Sequence, residues 1–199
     1  MPELVAPAAR YQRSFLDSVV EIRECGEDER YAGLTIIGAI GDYEGEYFPF
    51  ETLHDPETFA EYCRRLGQLS APDTWLPDGI VASTYLWWVD GEEYLGRLSI
   101  RHALTPWLLE YGGHIGYVVR PSARRVGHAT AMLRAALPVA HRLGIDPVLV
   151  TCDDTNEPSR KVIETAGGVF DDVRGPKLRF WIPTDPHRSA DSPGSADSP

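Results

Sequence analysis

The chain has 199 residues, 43% of them hydrophobic, 10% aromatic and 25% charged, a balance that suits one domain with a real core. Lys and Arg total 19 against 30 Asp and Glu, for a net charge of −11, which disfavours neutralising a nucleic-acid backbone. Cys25, Cys63 and Cys152 are odd in number, far apart and without a CxxC pair or a nearby His at ligand spacing, which disfavours a disulfide framework and a structural metal. The opening residues MPELVAPAARYQRSFLDSVV lack a basic start followed by an apolar run, and nothing later approaches the roughly 18 apolar residues of a membrane span. The chain therefore reads as cytoplasmic, with no membrane partner.

In chain order, Ala8 to Cys25 is an amphipathic helix with Phe15, Val19 and Ile22 on one face. The stretch from Gly26 to Asp55, rich in Gly, Asp, Glu and Tyr, reads mostly as loop. Asp55 is an N-cap for a second helix running to Leu69, with Pro56 in its first turn. Ile80 to Val89 and Glu93 to Ile100 are strands joined by Asp90-Gly91, a dipeptide suited to the positive φ of a hairpin turn. Of the paired Trp87 and Trp88, alternation sends one ring to each face, one into the core and the other to a cleft or to an interface with a second copy of the chain. Gly113 to Val119 is a third strand. From Val126 a helical pattern carries Ala129, Met132, Leu133, Ala136, Leu137 and Ala140, with Gly144 just past its end. Pro147 to Thr151 is a short buried strand, Asn156 to Ala166 a helix, and Leu178 to Ile182 a last strand. Pro183 to Pro199, with SADSP twice and no large apolar residue, reads as a disordered tail. A hairpin followed by strand, helix, strand, helix and strand predicts a mixed α+β sheet with helices packed on it.

The informative stretch is Gly113 to Ala129, GGHIGYVVRPSARRVGHA from Gly112 onward. A strand exits at Pro121, and Arg124-x-x-Gly127-x-Ala129 opens the longest helix. Unpaired amides at a helix start form a positive, donor-lined cradle, and small residues there let a diphosphate approach the main chain. Arg124 and Arg125 add charge beside it. Neither the GxGxxG dinucleotide fingerprint nor the GxxxxGK[ST] loop is present.

Arg124-x-x-Gly127-x-Ala129 after a Val-x-Pro strand exit resembles the [Q/R]xxGx[G/A] acyl-CoA loop of the GNAT N-acetyltransferase superfamily. Asn156-x-x-Ser159-x-x-Val162-Ile163-Glu164 before Gly167-Gly168 resembles that family's last helix. The resemblance runs from about Ile80 to Phe170, and the runs GRLSIRHAL and GGHIGYVVRP look most like a group of bacterial predicted acetyltransferases. It implies the GNAT fold, a mostly antiparallel twisted sheet flanked by helices, in one domain over residues 1–182. Residues 1–79 form the acceptor side and 80–182 the acyl-CoA core. It implies acetyl-CoA as cosubstrate, with the backbone of Tyr117, Val118 and Val119 on the pantetheine arm. The amides of Arg125, Val126, Gly127, His128, Ala129 and Thr130 would hold the pyrophosphate, beside Arg124. Asn156 would lie near the thioester and Ser159 on the CoA arm.

One departure concerns catalysis. Many family members place a Tyr where this chain has Ile163, so protonation of the departing thiolate falls to water, to another side chain such as Tyr117, or to nothing. Removing a proton from an ammonium acceptor falls to His114 or His102, His being the side chain whose ordinary pKa suits a base near neutrality. His114 is favoured because it precedes the strand exit by a few residues.

The expected reaction is acetyl transfer to a primary amine of a small-molecule acceptor. The acidic, aromatic run DYEGEYFPFE at Asp42 to Glu51 is suited to recruiting a cationic one, although its bland reading is a solvated loop with aromatics tucked onto the core. Acyl-CoA sensing without turnover and a carrier-bound donor such as an aminoacyl-tRNA are the alternatives. Whether the chain forms a homodimer is left open.

Overall fold

A computed structural model describes residues 1–71 and 73–185. The chain order is β1 (Glu3–Val5), α1 (Gln12–Glu24), β2 (Thr35–Ile37), β3 (Glu46–Tyr47), α2 (Pro56–Gln68), β4 (Ser83–Asp90), β5 (Glu93–Arg101) and β6 (Ile115–Val119). It continues with α3 (His128–Arg142), β7 (Val148–Asp153), α4 (Glu157–Thr165), β8 (Val169–Arg174) and β9 (Lys177–Ile182). Seven strands form one sheet in the order β1-β4-β5-β6-β7-β9-β8, and β2 and β3 pair separately. All pairings in the large sheet are antiparallel except β6 with β7. The fold is mixed α+β, as the sequence pattern predicts.

Local chemistry accounts for the element ends. The Asp55 side chain accepts from Thr58 N at 2.8 Å, with Pro56 in the first turn of α2, and Asn156 Oδ1 accepts from Ser159 N at 3.1 Å to start α4. Gly91 turns the β4–β5 hairpin at φ +59°. Two core layers flank the sheet. Phe15, Val19, Phe59, Tyr62 and Trp87 join α1 and α2 to one face. Trp88, Leu98, Ile115, Met132, Ala136, Val150 and Ile163 join α3 and α4 to the other. Trp87 and Trp88 thus do point to opposite faces, but both are buried, so neither ring lines a cleft or a partner surface.

Four features depart from the sequence reading. β1 adds an edge strand against β4, and β8 adds another against β9. Within the stretch read as loop, β2 and β3 pair, while Phe48 and Phe50 pack against the α1/α2 core and Glu46 holds Arg65 at 2.8 Å. Part of the acidic, aromatic run is thereby engaged in packing and pairing, while Asp42, Glu44 and Tyr47 stay exposed. At the far end, Thr184 is 3% exposed and its hydroxyl donates to Ile145 O at 2.7 Å. The segment read as a tail therefore starts docked, and residues 186–199 lie outside the described residues.

Candidate active site

The parallel strands β6 and β7 touch at one point and then part. Ile115 pairs with Val150, while His114 N donates to Leu149 O at 2.7 Å just before it. Beyond Ile115, β6 keeps its ladder with β5 as far as Val119, so its other edge faces a slit. A proline-led turn then carries the chain into α3.

That turn holds the backbone in an unusual shape. Arg125 has φ +70°, the one non-glycine residue with a left-handed backbone among the described residues, and Gly127 has φ +94°. Gly127 caps α3 without a side chain, and the first amide of the helix to find a backbone partner is Ala131 N, on Gly127 O at 3.0 Å. The amides of His128, Ala129 and Thr130 are therefore free donors at the positive end of the helix. A Cβ on Gly127 would meet nothing within 4 Å, so the concavity is open to a ligand. Left-handed residues in a turn that leads into a helix are a recurrent way to aim successive amides at an anion.

Slit and turn together open a cleft of about 830 Å³. Its walls are Tyr117, Val118 and Val119 of β6, Arg124 and Arg125 of the turn, Gly127 to Thr130 at the head of α3, and Asn156 and Ser159 at the head of α4. Every residue assigned to the cofactor from the sequence lies here except Val126, whose side chain is 71% exposed and points away. The reading missed Glu27 and Tyr31, brought in from the amino-terminal third, and Glu157, Pro158, Lys161 and Val162 of α4. Helical spacing from Asn156 offers a signal for the α4 residues; nothing local signals Glu27 or Tyr31.

The electrostatics differ from a simple cationic mouth. Arg124 donates through Nη2 to Glu27 Oε2 and through Nε to Val119 O, both at 2.9 Å. Its guanidinium holds the Glu27 carboxyl below the usual range despite burial. The arginine thus ties the turn to the segment after α1 while still lining the cleft, its charge paired with Glu27; Arg125 is exposed and, among the described residues, has no ion pair. His128 accepts from Trp88 Nε1 through Nδ1 at 3.2 Å, so a neutral His128 carries its proton on Nε2.

Deeper in the cleft, Tyr117 Oη and Ser159 Oγ are 2.7 Å apart. Burial pushes the Tyr117 phenol up to about 12, with the Ser159 contact opposing, so the phenol keeps its proton at neutral pH. Ile163 is 0% exposed within the α3/α4 core, so the position of the family's usual Tyr is turned inward. Asn156, besides capping α4, lines the cleft.

Neither His114 nor His102 lines the cleft. His114 is 8% exposed, and its Nδ1 accepts from Leu149 N at 2.9 Å, which fixes the neutral tautomer with the proton on Nε2. Burial, with the Arg101 charge adding to it, pushes its pKa down to about 4. A ring whose accepting nitrogen is occupied by the main chain has no lone pair for an ammonium proton, which corrects the choice of His114 as base. The odd spacing from Tyr117 puts its side chain on the opposite sheet face. His102 Nε2 is 2.8 Å from Thr84 Oγ1 and burial lowers its pKa; it too lies outside the cleft walls.

Among the described residues no group of His, Cys, Asp and Glu is placed to hold a metal ion, and no helix is long and apolar enough to cross a membrane.

Solved structures share this architecture. RimL, the ribosomal L7/L12 α-N-protein acetyltransferase in complex with coenzyme A, is 14% identical, with a TM-score of 0.55 over 90% of this chain and 92% of that one. Mycobacterium smegmatis RimJ, in complex with CoA-disulfide, is 16% identical with a TM-score of 0.61 over 94% and 84%. The spermidine/spermine N-acetyltransferase SpeG from Vibrio cholerae is 12% identical with a TM-score of 0.54 over 92% and 95%. At these identities the likeness speaks for the fold. No curated protein is significantly similar in sequence. Residues 39–169 match the model of the acetyltransferase (GNAT) domain, a span that takes in α2, the slit, the α3 turn and α4; the chain belongs to the GNAT acetyltransferase family.

Proposed function

We propose that the protein moves an acetyl group from acetyl-CoA to the nitrogen of a primary amine by direct attack, without a covalent acyl-enzyme. The observation that carries this reading is the pairing of a parted β6 edge with the open, left-handed cradle at Gly127 in one cleft. A long ligand with a diphosphate at one end suits that shape, and Gly127 leaves the room it needs. The free amides of His128, Ala129 and Thr130 would hold the diphosphate. Arg125 and Lys161 supply charge at the rim, while the main chain from Tyr117 to Val119 lines up the arm.

Bound acetyl-CoA supplies the thioester: the amine nitrogen forms a bond to its carbonyl carbon, the carbon–sulfur bond breaks, and the amine's proton and the thiolate end as free thiol. Amides on the open edge of β6 are fixed donors for the carbonyl oxygen. Tyr117, held by Ser159 and protonated at neutral pH, faces the cleft where the departing sulfur would lie and takes the place of a hydroxyl at position 163. The ammonium loses its proton to solvent on the acceptor side, since the rings of His102 and His114 are engaged outside the cleft and His128 Nδ1 is taken by Trp88 Nε1.

Thermal unfolding with acetyl-CoA, CoA and NADPH tests the cleft, because a ligand bound only by the native state raises the midpoint. A rise with both CoA species and none with NADPH is expected; no rise with CoA overturns the reading. Thiol release on adding amines then separates transfer from acyl-CoA sensing, the second reading, which the buried Ile163 favours.

A further inference from the structure

The face of the sheet opposite α3 and α4 carries a row of charge that the cleft does not use. Along β5, Arg97, Ser99 and Arg101 alternate onto this face, and β6 sets Val118 and Gly116 across from Arg97 and Ser99. Val118 is also a cleft wall, so Arg97 is the cross-strand neighbour of a residue at the slit, with Cβ atoms about 5 Å apart. Although they sit in mid-sheet, Arg97, Ser99, Arg101, Gly116 and Val118 all remain half-buried rather than covered. Bordered by α1 and α2, and with the 30–33 segment lying on Arg97, they form a partly open floor on the side from which an acceptor can reach the slit, since α3 and α4 close the other side.

Neither arginine meets a carboxylate among the described residues. Arg97 Nη2 donates to Arg30 O at 2.9 Å, while its Nε is buried without a partner. Arg101 Nη1 donates to Gly112 O at 3.0 Å and Gly113 O at 3.1 Å, and its Nη2 lies over Gly116, 3.5 Å from where a Cβ would stand. Other arginines with buried or half-buried side chains are matched: Arg120 with Glu21, Arg124 with Glu27, Arg65 with Glu46, Arg179 with Asp171. In a chain with 30 acids and 19 Lys and Arg, two unmatched guanidinium groups beside the slit are not the result of a shortage of acids. A partly desolvated guanidinium is costly without an acceptor, and its planar fork fits carboxylate and phosphate.

We propose that this floor binds an anionic group of the acceptor, so that the substrate is a small amine also bearing a carboxylate or phosphoryl group, and not a polycation. The inference rests on the acetyltransferase reading above. The anion on Arg97 and Arg101 anchors the acceptor on the open face and leaves its amino end free to reach past Gly116 to the slit.

Matched amines that differ in the anion test it: β-alanine against propylamine, O-phosphoethanolamine against ethanolamine, and spermidine as the polycation, each by thiol release from acetyl-CoA. The anionic member of at least one pair should exceed its neutral partner at least tenfold in kcat/KM. Arg97→Gln should erase most of that ratio through KM, with CoA affinity by calorimetry unchanged, and Arg97→Lys should restore part of it. Without turnover, inorganic phosphate at constant ionic strength should raise the melting midpoint of the CoA-saturated wild type and not that of Arg97→Gln. Preference for spermidine or the neutral amines, or equal protection of both proteins by phosphate, overturns the proposal. If CoA binds and no amine releases thiol, the transferase reading fails and the phosphate melts alone decide whether the floor binds anions.

Discussion

Glu21 of α1 and Arg120 at the exit of β6, 99 residues apart in sequence, are joined by an ion pair in which Arg120 Nε and Nη2 both donate to Glu21 Oε1, Nε from 3.1 Å. The same carboxylate accepts from Ser122 N at 3.0 Å and from the Ser122 hydroxyl at 2.9 Å. One acid on the amino-terminal helix thus fixes the turn that leads into the cofactor cradle. Burial alone would raise its carboxyl, but the Arg120 and Ser122 bonds outweigh burial and hold it below the usual range.

Glu21→Gln should therefore destabilise the fold by about 1.5–3 kcal/mol, a fall of roughly 3–10 °C in melting midpoint for a chain of this size. Because the folded carboxyl titrates below the unfolded one, its contribution is complete above the unfolded value of about 4.3 and is lost as pH falls through the folded value. Melts of wild type and variant should converge in acid. A constant gap across that range would count against the ion pair.

Gly127→Val should weaken CoA binding by about tenfold or more, the equivalent of one charge-assisted hydrogen bond lost from the diphosphate. The left-handed backbone at φ +94° adds a folding cost of about 1–2 kcal/mol. Calorimetry with CoA and a melt of the unliganded protein separate the two effects.

Tyr117→Phe removes the hydroxyl held by Ser159 while keeping the ring. Its kcat should fall about 10- to 100-fold, at or below the low end for a lost general acid because a thiolate leaves readily unaided, and CoA affinity should not change. Unchanged kcat in steady-state assays would hand the leaving group to solvent.

His114 offers a pH signature of stability rather than of rate. Its folded pKa, about 4, lies below the unfolded value of about 6.5. The unfolded chain then binds the proton more readily, and stability is full above the unfolded value and falls as pH drops toward 4. His114→Asn should flatten that slope in melts between pH 6.5 and 4, and should leave the pH dependence of kcat above 7 as it is in wild type.

Much of this was legible in residue order. Asp55-Pro56, Asp90-Gly91, the helical spacing from Ala129 to Ala140 and Asn156 at a helix head each carry a local physical reason for the element they start or turn, and each stands where expected. The cradle was readable because helix-start amides and the small residues beside them are properties of one short segment, although the left-handed backbone at Arg125 and Gly127 was not. What escaped was set by distant partners. β8, with Val169, Phe170 and Val173 exposed, has no buried stripe for a periodicity argument to find, and β1 is three residues long. Tyr31 reaches the cleft only through the chain path after α1, and Arg124 is paired only because Glu27 is folded against it. His114 looked catalytic by its nearness in sequence to the strand exit, yet strand alternation sends it to the face where Leu149 N occupies its ring nitrogen.

The single bridge between Ile115 and Val150 divides the sheet into two blocks whose hydrogen-bond ladders do not continue into each other beyond that point. Peptide groups between Gly116 and Val119 that turn away from β5 are left to water, so a ligand laid along them acts as an inserted strand and closes the ladder from outside. In deuterium-exchange mass spectrometry the peptide spanning these residues should take up label quickly in the unliganded protein and slowly once CoA is bound, while the core of β5 stays protected throughout. The seam in the sheet thus ties backbone protection at the centre of the molecule to occupancy of the cleft.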